Sequence, residues 1–284
     1  MQASSVRGAS GTWARVVATL CASAAVAFAA VPASRLIVVC APGSPGTTDE
    51  AKPAMDAFAA ALSAKAGFEL AAIYDPTDAG GATRLEQAGL GIVSLPFFLA
   101  HEHALGLRAR FDVVRKGRPE LERWVLVAHK GRVHDAQALA GFAIVSSVAF
   151  APAFVRGALA DLGSVPANVE LKQSSGVLSA LHGAAAGEPI AVLLDGPEAA
   201  ALSSLAFASE LEIVARSPAM PVALVVTTKH VTERDWSAVA SALLALPTDP
   251  DATAALDGIQ VAKFTPVDDA ALAAARAAYA KGTK

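Results

Sequence analysis

Cysteine is almost missing from this 284-residue chain, which holds only Cys21 and Cys40. Cys21 lies in an N-terminal segment that reads as removable, so one thiol remains and no internal disulfide can form. Cys40 closes the apolar run Leu36-Ile37-Val38-Val39, where a small buried hydrophobe fits better than a reactive nucleophile. Charge is scarce too, at 17% of residues with a net value of −3. The cations form no clustered basic face, which argues against nucleic acid as the main partner. Those between residues 108 and 132 are interleaved with Asp112, Glu120 and Glu122 and read as a solvated hairpin.

Several catalytic signatures are absent as well. There is no Gly-x-Ser-x-Gly nucleophile elbow, and the Gly89/Gly91 pair precedes a strand where a dinucleotide fingerprint must follow one. In His101-Glu102-His103 the histidines are two apart, not the four that place a zinc-binding pair on one helix face, so a surface helix is the better reading. No acid, base and nucleophile set emerges, so neither an enzyme nor a metal or cofactor is expected.

What is present is apolar surface, 54% of residues, enough for one large core or two modest ones. Arg7 and Arg15 precede or open an apolar run over residues 16–29, and Ala27-Phe28-Ala29 offers a small-x-small cleavage site. As a helix that run spans roughly 21 Å at 1.5 Å per residue, short of the roughly 30 Å hydrocarbon core. Residues 1–30 therefore read as a signal peptide that exports the chain, with a retained membrane tether as the competing reading. Leu20, just before Cys21, is bulky where a lipoprotein cleavage site wants a small residue.

Along the rest of the chain the pattern is strand and helix in alternation. Residues 36–40 read as a buried strand, 42–46 as a loop, and Met55, Phe58 and Leu62 recur at helical spacing until Gly67. Residues 68–74 form a second strand, and this order demands a crossover and a parallel pair. The glycine-rich 79–82 leaves helix or loop open. Residues 90–95 are a third strand, after which Pro96 starts a helix. Residues 108–114 and 123–129 read as two strands around the turn Lys116-Gly117-Arg118-Pro119. The pattern restarts at residue 135, with strands at 142–145, 169–173, 190–194 and 211–214, and a helix from Pro152 to about residue 162. Ser217-Pro218-Ala219-Met220-Pro221 is a stiff two-proline connection into a strand at 222–226. A capped helix from Thr232 and an alanine-rich helix over 268–280 close the chain.

Four segments, in order, carry a resemblance. They are Gly91-Ile92-Val93-Ser94-Leu95-Pro96-Phe97-Phe98-Leu99-Ala100-His101-Glu102, then Leu139-Ala140-Gly141-Phe142-Ala143-Ile144-Val145, then Arg216-Ser217-Pro218-Ala219-Met220-Pro221. The fourth is Leu256-Asp257-Gly258-Ile259 leading to Phe264-Thr265-Pro266-Val267-Asp268-Asp269. Together they resemble the phosphate/phosphonate-binding family of periplasmic solute-binding proteins that serve ABC transporters.

The resemblance implies an α/β, two-lobed type II periplasmic-binding-protein fold with a ligand cleft between the lobes. Residues 35–130 plus 222–284 would make lobe 1 and residues 131–221 lobe 2. It also implies a monomer that takes a small-molecule ligand to an ABC transporter permease. By position, the ligand-facing residues would be Ser44, Asp75, Ser94, Phe97, Ser146, Ser147 and Asp195. Asp195 is equally suited to cap the helix that follows it, and Phe97 to the core. The chain departs from the family in two turns: Ser146-Ser147-Val148-Ala149-Phe150 stands where a Ser/Thr-rich turn ending in Ser-Gly is usual. Likewise Ser94-Leu95-Pro96-Phe97-Phe98 replaces a Gly-Pro-x-Ser-Tyr-like turn. Two or three hydroxyl donors are thereby lost, each worth about 1.5–3 kcal/mol toward a charged oxyanion. The expectation is binding of a small oxyanion, such as phosphate or phosphonate, without chemistry. Its alternatives are a lipid- or sterol-like ligand in an apolar cleft, and a sensory or scaffold protein that recognises a protein partner.

Overall fold

The computed structural model describes residues 32–283, so the expected signal peptide, with Cys21 and Ala27-Phe28-Ala29, lies outside the described residues. Strand β1 (Leu36–Cys40) sends alternate side chains to two cores: Ile37 and Val39 to one face of its sheet, Val38 and Cys40 to the other. Helix α1 (Thr48–Ala66) covers the first face with Met55, Phe58 and Leu62. Thr47 and Glu50 start it with a reciprocal capping box, and Gly67 ends it at φ 79°. Strand β2 (Ala71–Asp75) pairs parallel to β1.

The glycine-rich stretch resolves as helix α2 (Asp78–Leu85), capped by Thr77. Its glycines are steric: a Cβ at Gly81 would stand 2.2 Å from the Cys40 Sγ, so only glycine lets α2 lie on β1. Strand β3 (Leu90–Ser94) pairs parallel to β1 on the side away from β2, so the strand order reverses at β1. Helix α3 (Leu95–Leu105) and strand β4 (Arg108–Arg115) follow.

Here the sequence expectation of a hairpin gives way. The chain leaves the first sheet after β4, forms the two-residue β5 (Leu121–Glu122), and enters a second sheet as β6 (Val125–His129). Residues 125–129, grouped with lobe 1 from sequence, thus pair with residues 192–194 and 211–216 in the second sheet. That sheet is built from β7 (Ala143–Ser146), helix α4 (Pro152–Ala158), β8 (Glu170–Gln173), helix α5 (Leu178–Ala185), β9 (Ile190–Leu194), helix α6 (Gly196–Ala201) and β10 (Leu211–Arg216). Its order is β10-β6-β9-β7-β8.

The chain returns through β11 (Met220–Pro221), which pairs antiparallel with β5. The two connections between sheets are therefore hydrogen-bonded to each other. Ser217 stitches them further: its N–H donates to the Trp124 carbonyl at 2.8 Å and its Oγ accepts from the Trp124 N–H at 2.9 Å. Strand β12 (Ala223–Thr227), helices α7 (Glu233–Ala245) and α8 (Thr253–Gly258), and β13 (Val261–Pro266) complete the first sheet, order β13-β4-β12-β3-β1-β2. Because β12 runs antiparallel to both β3 and β4, the carboxyl ends of β1, β2, β3 and β4 share one edge.

Helix α9 (Asp269–Gly282) then crosses back and packs on α4. Gly157 and Gly282 permit the close approach, since Cβ atoms there would stand 2.2 Å from the Ala278 carbonyl oxygen and 2.0 Å from that of Ala153. Among the described residues, no helix is long and apolar enough to cross a membrane.

Candidate functional site

In open α/β sheets the ligand lies outside the carboxyl ends of the strands, where the strand order reverses. Two adjoining cavities occupy that place. The larger, about 500 Å³, sits between α1 and the first sheet, and the smaller, about 100 Å³, is a crevice between elements of the two sheets. Ser44, Ser94, Arg115 and Arg118 line both.

Strand periodicity explains which side chains reach the larger chamber. On β4, Phe111 and Val113 face the α1 side of the sheet, and two residues on the same register carries Arg115 to that side. On β3, Leu90, Ile92 and Ser94 share that face. Tyr74, the inward residue at the end of β2, completes the rim.

Arg115 makes no side-chain hydrogen bond or ion pair among the described residues, while its neighbours are engaged. Lys116 pairs with Asp257, and the Arg118 Nη1 lies 3.3 Å from the Asp195 Oδ2 and 3.6 Å from the Glu122 Oε1. Burial, with Arg118 nearby, pushes the Arg115 guanidinium below the usual arginine range. It stays charged at neutral pH, because an arginine in a protein does not deprotonate. The Ser94 Oγ is buried without a hydrogen-bond partner among the described residues. It makes no capping bond to α3: Pro96, the second helical residue, has no N–H to offer, and the Leu95 N–H is taken by the Val222 carbonyl at 3.1 Å. Burial raises the Tyr74 hydroxyl above its ordinary value, so it remains protonated and able to donate.

The crevice is nearly shut. A Cβ at Gly43, whose φ is +85°, would stand 1.9 Å from the carbonyl oxygen of Ser147, so the β1 loop and the turn after β7 touch backbone to backbone. Glu122, on the connection between sheets, is buried. Its Oε2 accepts from the Gly196 N–H at 3.4 Å, and its Oε1 lacks a hydrogen bond among the described residues. Burial raises the Glu122 carboxyl pKa, Arg118 opposes that rise, and Asp195 adds to it.

Of the residues expected from sequence, Ser44, Ser94, Ser147 and Asp195 meet at these cavities. Asp195 caps α6 reciprocally with Glu198, as foreseen for it, and also pairs with Arg118. The other three lie elsewhere. Asp75 accepts from the Thr77 N–H and Oγ1 and from the Arg84 Nε at 3.0, 2.8 and 2.8 Å, which fixes the start of α2. Phe97 is fully buried in the core against the His101 ring, with centroids 4.5 Å apart. Ser146 is fully buried, its Oγ donating to the Leu193 carbonyl at 2.8 Å. The helix expected from Pro152 does start there, as α4, six residues past Ser146.

The residues missed were Arg115, Arg118 and Tyr74, the two arginines having been assigned to a solvated hairpin. The available signal was register: an arginine that extends the inward-facing series Phe111, Val113 at the carboxyl end of a strand.

Residues 45–272 match the family described as ABC transporter, phosphonate, periplasmic substrate-binding protein. The chain belongs to this family. No curated protein shows significant sequence similarity to it. Solved structures similar to this phosphonate-family protein include XAC2383 from Xanthomonas citri bound to chloride, at 14% identity, TM-score 0.69, covering 88% of this chain and 98% of that one. A binding protein component of an ABC phosphonate transporter from Pseudomonas aeruginosa matches at 16% identity and TM-score 0.62, covering 87% and 86%. PhnD1 from Prochlorococcus marinus in complex with methylphosphonate matches at 14% identity and TM-score 0.60, covering 88% and 99%. The family member thus has the two-lobed type II periplasmic-binding fold that its sequence resembles.

Proposed function

We propose that this protein is the exported, periplasmic solute-binding component of an ABC-type uptake system, and that it holds an oxyanion such as a phosphonate or phosphate and hands it to a permease without chemistry. The observation that supports it is Arg115, a half-buried guanidinium without a counter-ion among the described residues, facing the same cavity as the Ser94 hydroxyl, which likewise lacks a partner among them. A partly desolvated cation left alone is costly, and an incoming oxyanion would remove that cost with charge-assisted hydrogen bonds. In this reading lobe 1 is the first sheet with its helices and lobe 2 the second. Contacts from Ser44, Ser94 and Arg115 on one side, and Ser147 and Asp195 on the other, favour the closed form that a permease recognises. Asp195 stays compatible with an anion because Arg118 neutralises it.

The test is Arg115→Gln, titrated with methylphosphonate and inorganic phosphate by calorimetry. Loss of charge-assisted bonds worth about 1.5–3 kcal/mol predicts binding weakened roughly 10- to 150-fold. The melting point without ligand should hold or rise, since an unpaired buried charge is removed. Unchanged affinity, or a lower melting point with affinity intact, would count against the proposal.

A further inference from the structure

The chamber behind Arg115 and Ser94 is five times the volume of the crevice between the sheets, about 500 against about 100 Å³. That places it within the range of small-molecule sites. Its lining has two chemistries. Ser44, Tyr74, Ser94 and Arg115 present donors, and Val39, Met55, Ile92, Val113, Ile259 and Val261 form an apolar wall beside them, with Val261 opposite Arg115 across the strands. Strand alternation produces this division: positions facing α1 are apolar through the sheet and become polar only at the carboxyl ends, at Ser94 on β3 and Arg115 on β4.

One carboxylate, Glu50, lines the chamber, and it is committed to the start of α1, accepting from the Thr47 N–H at 2.8 Å and the Thr47 Oγ1 at 3.0 Å. Against that one carboxylate the lining sets three cations, Arg115, Lys116 and Arg118, which favours an anion over a zwitterion's ammonium group. Water is a poor occupant of the space against the apolar wall, because each buried water needs two to four polar partners and those side chains supply none. A bare tetrahedral oxyanion would engage the donors and leave the apolar wall without packing partners.

We infer that the ligand is an amphiphilic anion, with a phosphonate or carboxylate head on Arg115 and Ser94 and an apolar body lying in the chamber between α1 and the first sheet. The inference rests on the oxyanion reading above and adds what the head is attached to. It also accounts for the departures in the two turns: hydroxyl donors are fewer because part of the binding free energy comes from apolar burial.

The experiment is calorimetry on the full chain with inorganic phosphate, methyl-, butyl- and hexylphosphonate, and 1-hexanol. Apolar burial predicts about three- to fourfold tighter binding per added methylene, so hexylphosphonate should bind at least a few hundredfold tighter than methylphosphonate. The binding heat capacity should become more negative along the series. Ala51→Phe, which fills the chamber from α1, should flatten the dependence on chain length. Equal affinity for methyl-, butyl- and hexylphosphonate in the wild-type chain overturns this inference and leaves the oxyanion reading intact. Binding of 1-hexanol with no binding of any phosphonate or phosphate overturns both, as does the absence of binding by every probe.

Discussion

Gly43→Ala tests closure of the two lobes directly. Gly43 sits at φ +85°, and its substituted Cβ would lie 1.9 Å from the Ser147 carbonyl oxygen, about 1 Å short of the 3.0 Å that real Cβ contacts respect. Two costs follow, and they fall differently. The left-handed backbone costs an L-residue about 1–2 kcal/mol wherever the loop keeps its shape, so it lowers overall stability but largely cancels between open and closed forms. The clash exists only when the β1 loop meets the turn after β7, and the obstructing atom is backbone, which cannot rotate away. Relieving such overpacking costs about 1–3 kcal/mol, charged to the closed form alone. Apparent affinity scales with the fraction of molecules able to close, so binding of methylphosphonate should weaken roughly 5- to 150-fold. Calorimetry gives the affinity, and small-angle scattering gives the ligand-induced contraction, which should shrink in the variant. If affinity and contraction both match the parent chain, closure at Gly43 is not part of binding and the reasoning fails.

Two further predictions concern stability. Asp112 is buried, with its Oδ2 accepting the Asp268 N–H at 2.8 Å and its Oδ1 unpartnered among the described residues. Burial raises its pKa, the Asp268 N–H opposes this, and Asp268, Asp269 and Glu120 add to the rise. A raised native pKa means ionisation costs stability above that value, and the cost vanishes below the ordinary aspartate value of about 3.9. Asp112→Asn, which keeps the acceptor for Asp268, should therefore melt higher than the parent at pH 7, with the gap closing as pH falls toward 4. Parallel melting curves across that range would refute the assignment. Gly157→Ala should force α9 off α4 and cost about 1–3 kcal/mol, a fall in Tm of roughly 2–10 °C, measured by calorimetric melting. No change there would mean the helix contact is looser than described.

What the sequence determined by itself was local and periodic. The runs Leu36–Cys40, Leu90–Ser94 and Ile190–Leu194 declare themselves by apolar continuity, and α1 by spacing and its stop at Gly67, because these signals are carried by the residues that form the element. The stiff connection at Ser217–Pro221 was also legible, through proline. Tertiary structure decided everything that depends on which strand joins which sheet. Residues 108–129 look like a hairpin because neighbouring strands usually pair, yet β4 and β6 are drawn to different sheets by partners more than 60 residues away in sequence, β9 and β10 for one and β12 and β13 for the other.

The candidate site followed the same rule. Ser44, Ser94, Ser147 and Asp195 could be placed because they end or follow strands, and strand ends are visible in sequence. Asp75 and Ser146 also end strands, but whether such a side chain turns to the cavity or to Arg84 and the Leu193 carbonyl depends on neighbours brought by the fold. Arg115 is the reverse case. Its chemistry is plain in the sequence, but its lack of a counter-ion among the described residues is a property of the surrounding space. Only the folded chain shows that Asp195 and Glu122 are held by Arg118, leaving Arg115 to face the cavity.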